Sequence, residues 1–235
     1  MRTHRIYEIK KNLYFKYENW LKTHYNEINI EFDLIRESGL VDVNYYFMEG
    51  QDVLKAGVDP VEHFCRYGWR EGRRPNLCFD PCWYRGRYLA GRPDVNPLAH
   101  YIAIGEAAGF RPIAYFNPAW YRQIYAIPPD CGCLKHYLDH RRSQRFAPNA
   151  LFDIRFYLDR HGHEIGANRD PFAHLLRLGA TRDLDPSRVF DSAAYRAQFM
   201  GAVDAEPIDL SGHERKVPLV HFLDALVRPL PVACW

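Results

Sequence analysis

At 235 residues, with 47% hydrophobic and 26% charged side chains, the chain has the composition of a folded protein and not of a disordered one. Its 31 basic and 29 acidic residues leave a formal charge of +2, which lacks the basic excess of a nucleic-acid reader, so no nucleic-acid partner is expected. Sixteen Tyr, 14 Phe and five Trp bring the aromatic share to 15%, and some recurring feature of the fold must use these rings.

The first 37 residues mix Arg2, Arg5, Glu8, Lys10, Lys11, Lys16 and Glu18 through the apolar positions, so no secretory leader is legible. Tyr14, Phe15, Tyr17, Trp20, Leu21, Ile28 and Ile30 predict one or two capping helices, or a linker, over residues 1–37. No run of about 18 apolar residues occurs, so no transmembrane segment is expected. A cytoplasmic location and reduced cysteines follow as the default expectation.

From residue 38 onward two landmarks recur. The first is an apolar residue followed by Asp or Asn and then an aromatic: Val41-Asp42 to Tyr46, Phe79-Asp80 to Tyr84, Phe116-Asn117 to Tyr121, Phe152-Asp153 to Tyr157, Phe190-Asp191 to Tyr195. Each tyrosine falls five residues after its apolar partner, and successive landmarks lie 36 to 38 residues apart. The second is a proline three residues before a histidine, at Pro60–His63, Pro97–His100, Pro171–His174 and Pro218–His221; His136 recurs with Cys133 in place of proline.

Both read as helix starts. An Asx side chain accepts an orphan backbone N–H, and a proline at the first helical position has no N–H to lose. The apolar residue before the cap and the tyrosine five residues on form a hydrophobic staple. Asp59-Pro60, Asn96-Pro97 and Asp170-Pro171 repeat the logic for a shorter second helix, with Glu62 placed as a capping-box carboxylate. Gly68, Gly105 and Gly179, five residues after the histidines, are expected as left-handed residues ending those helices. The predicted fold is all-α: about five degenerate two-helix repeats of about 37 residues, solenoid-like or a curved slab. The copies lie near 38–76, 77–113, 114–149, 150–187 and 188–235, the last lengthened by a polar insertion over 201–215.

The segment from Ser38 to Asn76, with its A-G-V-D-P-V-E-H-F and R-E-G-R-R-P elements and the following F-D-P-C-W-Y, resembles a helical repeat of bacterial glycosyltransferases that build rhamnan and O-antigen surface polysaccharides. Asp52-Val53, Asp94-Val95, Gly57, Glu71-Gly72-Arg73 and Pro75 carry the match in copies one and two; Cys131-Gly132-Cys133 and Ala147-Pro148 depart from it. The resemblance implies a repeat that accompanies a transferase domain, and no alternation of strands and helices around a nucleotide-sugar cleft is legible. The expected role is a non-enzymatic interaction or scaffold module linked to polysaccharide biosynthesis. An accessory or divergent transferase and an aromatic-rich carbohydrate-binding module are the alternatives.

No catalytic residue, cofactor or metal is expected. The five histidines read as packing imidazoles bonding a loop carbonyl; Cys78, Cys82, Cys131 and Cys133 read as small hydrophobes, their spacing irregular for zinc. His161-Gly-His163 is placed in a loop. Trp83, Trp120 and Tyr45 are weighed between a sugar platform and packing, with packing favoured. Arginines after the second helices, with Trp69, Arg70, Arg73, Arg74 and Arg111 foremost, form the candidate interaction surface. Its expected partner is a protein such as a polysaccharide-assembly enzyme, with a glycan or an anionic lipid as alternatives; the bland reading is that these arginines are solvated and satisfy helix-end carbonyls.

Overall fold

The computed structural model of the protein describes residues 27–201 and 214–227, the side chains of 27–29 excepted. The aromatic residues before Glu27, most of the insertion and the final residues, Pro231 to Trp235, lie outside that range. Twelve α-helices are described. They are α1 (Glu27–Ser38), α2 (Val43–Glu49), α3 (Gln51–Ala56), α4 (Pro60–His63), α5 (Pro81–Tyr88), α6 (Pro97–His100), α7 (Pro118–Tyr125), α8 (Cys133–His140), α9 (Ile154–Ile165), α10 (Pro171–Leu178), α11 (Ser192–Phe199) and α12 (Pro218–Val227). Two of the short helices widen into a π turn, α4 through Phe64–Gly68 and α6 through Tyr101–Gly105. Among the described residues β pairing is limited to isolated antiparallel bridges, Asn76 with Phe79, Ile113 with Phe116 and Ser187 with Phe190. None of the described helices is long and apolar enough to cross a membrane.

The helix starts follow the capping logic closely. Asp42, Asp80, Asn117, Asp153 and Asp191 each accept the backbone N–H three residues on, from Tyr45, Trp83, Trp120, Phe156 and Ala194. The staples close behind them: ring centroids lie 5.5 Å apart for Phe79 and Tyr84, 5.4 Å for Phe116 and Tyr121, 5.0 Å for Phe152 and Tyr157, and 5.3 Å for Phe190 and Tyr195. Asp59, Asn96 and Asp170 cap α4, α6 and α10. Glu62 does not complete a capping box; its carboxylate pairs with Arg66 one turn on, at 3.0 Å.

The chain divides into two compact units, Met1–His136 and Tyr137–Trp235. In the first, Tyr46, Phe64, Phe79, Tyr84, Tyr101, Tyr115, Phe116 and Tyr121 are fully buried. Helix α1 packs on α4 and α6. Its Glu31 carboxylate accepts a hydrogen bond from Asn96 at 2.6 Å, and Arg36 pairs with Asp59 at 3.1 Å. The helix preceding the first landmark thus reaches the capping residues of two second helices. In the second unit Phe152 meets Phe172 edge-on at 5.0 Å, and Tyr157, Leu175, Val217 and Leu219 fill the core.

Candidate functional site

The polar residues that recur are brought together in pairs. Each landmark tyrosine places its hydroxyl on the Nδ1 of the next histidine: Tyr46 with His63 at 2.9 Å, Tyr84 with His100 at 2.9 Å, Tyr121 with His136 at 2.8 Å, Tyr157 with His174 at 2.8 Å and Tyr195 with His221 at 2.9 Å. The expectation of a histidine bonded to a loop carbonyl is thereby corrected. The tyrosine that staples the first helix also fastens it to the second. A second ring follows one turn on, with centroids 4.9 Å apart for Tyr84 and Tyr88, 4.7 Å for Tyr121 and Tyr125, 4.8 Å for Tyr157 and His161, and 4.9 Å for Tyr195 and Phe199.

Burial shifts the titration of several of these groups. Desolvation pushes the hydroxyls of Tyr46, Tyr121, Tyr157 and Tyr195 up, away from the phenolate. It pushes His100 down to about 4, helped by the nearby Arg92, and lowers His174 against the opposing pull of Glu164. At neutral pH the His100 and His174 imidazoles are therefore neutral, suited to holding two helices together and not to carrying charge.

The glycines were expected in the left-handed region and are not. Gly68 and Gly105 are absent from the positive-φ residues, and Gly179 has φ −67°. A Cβ at Gly68 would lie 2.1 Å from the Tyr46 hydroxyl oxygen, and one at Gly105 would lie 2.2 Å from that of Tyr84. These glycines exist because the hydroxyl occupies the space of a side chain. Where the second helix widens into a π turn, the glycine meets the tyrosine. Where it stays α-helical, in α10, Gly179 instead faces Leu175 O and Val217. The left-handed residues come four positions later, at Gly72 and Gly109, both at φ +75°.

The candidate interaction residues mostly face inward. Trp69 is 2% exposed, with Nε1 donating to Cys65 O at 3.1 Å, so it offers no surface. Arg74 is buried against Asp80 in a 2.8 Å ion pair, which is likewise no docking surface. Arg73 is held by Asp52 at 2.8 and 2.6 Å and by Glu71 at 2.6 Å; the guanidinium hydrogen bond holds the Asp52 carboxyl at about 2. Arg111 donates from Nη1 to Ala114 O at 3.0 Å, and its burial lowers its guanidinium pKa. Arg70 is exposed and lies over the Trp69 ring at 4.1 Å, with Arg85 at 5.5 Å. An equivalent clamp in the second unit, unforeseen from sequence, joins Arg182 to Glu164 at 2.7 and 3.0 Å.

Comparison with protein-family models, with curated proteins and with solved structures finds no match to this chain.

Of the remaining candidates, Cys78 and Cys133 are buried, and burial pushes the Cys133 thiol up to about 12, which suits small hydrophobes; Cys82 is exposed and Cys131 half-buried, so that reading does not hold for them. Among the described residues no group of three His, Cys, Asp or Glu is placed to hold a metal ion. His161 and His163 lie within α9 and not in a loop, and His161 stacks on His174 with centroids 6.1 Å apart. Trp83 and Trp120 are half-buried, edge-on to Tyr88 and Tyr125.

Proposed function

We propose that the chain is an array of five copies of one two-helix unit, serving as a non-enzymatic scaffold for bacterial polysaccharide-assembly enzymes. The observation that supports this reading is the recurrence of the Tyr–His hydrogen bond at all five landmarks, each joining two helices. A group repeated five times in one packed setting is doing a structural job. The resemblance of the segment from Ser38 to Asn76 to a glycosyltransferase-associated repeat supplies the partner class.

The test mixes the purified chain with glycosyltransferases encoded beside its gene, and assays the chain alone for sugar-nucleotide turnover. A stable complex with no turnover by the chain supports the scaffold. Turnover by the chain alone overturns it in favour of a divergent transferase. Quenching of Trp83 and Trp120 fluorescence by a glycan, without complex formation, would make the chain a carbohydrate-binding module.

A further inference from the structure

In the first unit the charge on Arg111 has no counter-charge. Arg111 stands before Pro112 as Arg74 stands before Pro75, and Arg74 is neutralised at 2.8 Å by Asp80, the carboxylate that caps α5. The residue that caps α7 is Asn117, an amide. The partner supplied at the earlier turn is therefore missing at the later one. Among the described residues Arg111 enters no ion pair, and its guanidinium makes one hydrogen bond, from Nη1 to Ala114 O at 3.0 Å.

That guanidinium is held in place and still open. Ala114 is buried in a turn closed by the bridge between Ile113 and Phe116, so the carbonyl that anchors Nη1 is fixed. The Nε and Nη2 donors reach solvent. The Arg111 backbone N–H donates to the Tyr88 hydroxyl at 3.2 Å, and Tyr88 stacks on Phe110 with centroids 4.3 Å apart. Arg87 is exposed and also without an ion pair among the described residues; its Cζ lies 5.8 Å from the Tyr88 centroid and 5.6 Å from that of Trp83. Burial lowers the Arg111 pKa, Tyr88 opposes that shift, Arg87 reinforces it by like-charge repulsion, and no carboxylate acts on it. Two guanidiniums at one ring stack, one of them half-buried and neither paired, carry a cost that a bound anion would offset.

We infer that Arg87 and Arg111 bind a phosphoryl group beside the stacked rings of Tyr88 and Phe110. One guanidinium fork satisfies a carboxylate by itself, whereas two suit a group with three acceptor oxygens and up to two negative charges. The anchoring of Arg111 through Ala114 lowers the ordering cost of binding. A sugar phosphate as the source of that group rests on the polysaccharide reading above; the phosphoryl chemistry rests on the two arginines. A phospholipid headgroup presents the same chemistry, and the test separates the two sources.

Isothermal titration calorimetry of the full chain with inorganic pyrophosphate and with glucose 1-phosphate provides the test, with glucose as the uncharged control. Both anions should bind at micromolar to millimolar concentration, more weakly as salt rises, and glucose should not. Arg87→Gln should weaken both about tenfold with little change in thermal midpoint, because that exposed side chain makes no hydrogen bond among the described residues. Asn117→Asp keeps the acceptor for the Trp120 N–H and brings a carboxylate to the cap, as Asp80 does beside Arg74. It should abolish binding in a chain that stays folded. Arg70→Gln, which removes the same charge beside Trp69, should leave binding unchanged. Pyrophosphate that fails to bind, or that binds Arg87→Gln and Asn117→Asp as tightly as wild type, overturns the inference, as does glucose that binds as tightly as its phosphate. Phosphatidylglycerol vesicles that compete with pyrophosphate would make a lipid headgroup the source; vesicles that do not compete would leave a soluble sugar phosphate. Pyrophosphate binding that both variants lose, in a chain forming no complex with glycosyltransferases, would overturn the scaffold reading and leave this one standing.

Discussion

Replacing Gly105 by Ala tests the packing of the Tyr–His pairs most directly. The added methyl would sit 2.2 Å from the Tyr84 hydroxyl oxygen, well inside van der Waals contact, so the ring or the helix must shift by about 1 Å. A shift of that size stretches the 2.9 Å bond to His100 beyond hydrogen-bonding range. Losing it leaves two buried polar atoms unsatisfied, at about 1–3 kcal/mol, and the overpacking adds about 1–3 kcal/mol. Against this, alanine is favoured over glycine in a helical backbone by at most ~1 kcal/mol. The net expectation is a loss of roughly 2–4 kcal/mol. Urea unfolding followed by tryptophan fluorescence reads it, since Trp69, Trp83 and Trp120 all fall in the unit containing Gly105. Tyr84→Phe alone should cost about 1–3 kcal/mol by stranding the His100 nitrogen. In that background Gly105→Ala should cost much less, because the next contacts, Tyr101 Cδ2 and Tyr84 Cζ, stand at 3.3 Å and a shift of a few tenths of an ångström relieves them. The double-mutant cycle should therefore show strong favourable coupling. Additive effects within about 0.5 kcal/mol, or a Gly105→Ala chain as stable as wild type, would refute the reasoning.

Gly86→Ala is the control: a Cβ there meets nothing within 4 Å, so thermal unfolding should show a gain of about 0.5–1 kcal/mol. Arg74→Ala should lose about 3–5 kcal/mol by stranding the Asp80 carboxylate in its buried pair, whereas Arg70→Ala, which removes an exposed guanidinium that acts on Glu31 only through its charge, should cost under about 1 kcal/mol in the same denaturation assay. For pH, His100 lies at about 4 when folded against about 6.5 unfolded. The unfolded chain then takes up the proton first, and stability should fall by roughly 3 kcal/mol as pH drops from about 7 to 4. His174 acts in the same direction; Glu31 and Asp170, raised by burial, oppose it near the acid end; and the Asp52 and Glu164 carboxylates, both held at about 2, add to the loss from about pH 5 downward, because in the unfolded chain they take up protons first. A His100→Gln chain that keeps the full slope between pH 6.5 and 4.5 would disprove the assignment.

The helix starts were legible because capping is local: Asp80, Pro81 and Tyr84 lie within five residues, and a fixed spacing reports a fixed geometry. What spans two helices was not. The partner of each histidine is a tyrosine 15 to 26 residues away, and no local rule selects a phenol over a loop carbonyl. The glycines misled for a related reason. A glycine near a helix end serves equally as a left-handed cap or as room for a neighbour, and only the position of the Tyr84 hydroxyl decides between them at Gly105. The arginines misled through charge: Arg73 and Arg74 look like free surface in a list of basic residues, but Asp52, Glu71 and Asp80 return to them in space. A signal was present, since Asp52 and Glu164 sit six and seven residues after their landmark tyrosines, each with an arginine after the following histidine.

Helix α8 starts without the local cap that begins α4, α6 and α10. Cys131-Gly132-Cys133 has neither the Asx cap nor the proline that start α4, α6 and α10, so α8 would begin with orphan N–H groups. The Cys133 N–H is instead taken by the carboxylate of Glu106, which follows the π turn of the preceding segment. Arg122 braces the arrangement, lying 3.5 Å from Glu106 and donating to Ile127 O and Cys131 O across the intervening loop. The cap that the adjacent Asx residue supplies in α4, α6 and α10 is here supplied from a distant part of the chain. α8 therefore depends on Glu106, 27 residues away in the chain, where α4, α6 and α10 are capped by the Asx residue just before them. Glu106→Gln retains the accepting oxygen but not the charge at the helix start, and should cost about 1 kcal/mol or less; Glu106→Ala removes the cap and should cost about 1–2 kcal/mol, concentrated in the amide exchange of α8. Equal protection of the α8 amides in Glu106→Ala and wild type would show that the helix is held by its packing alone.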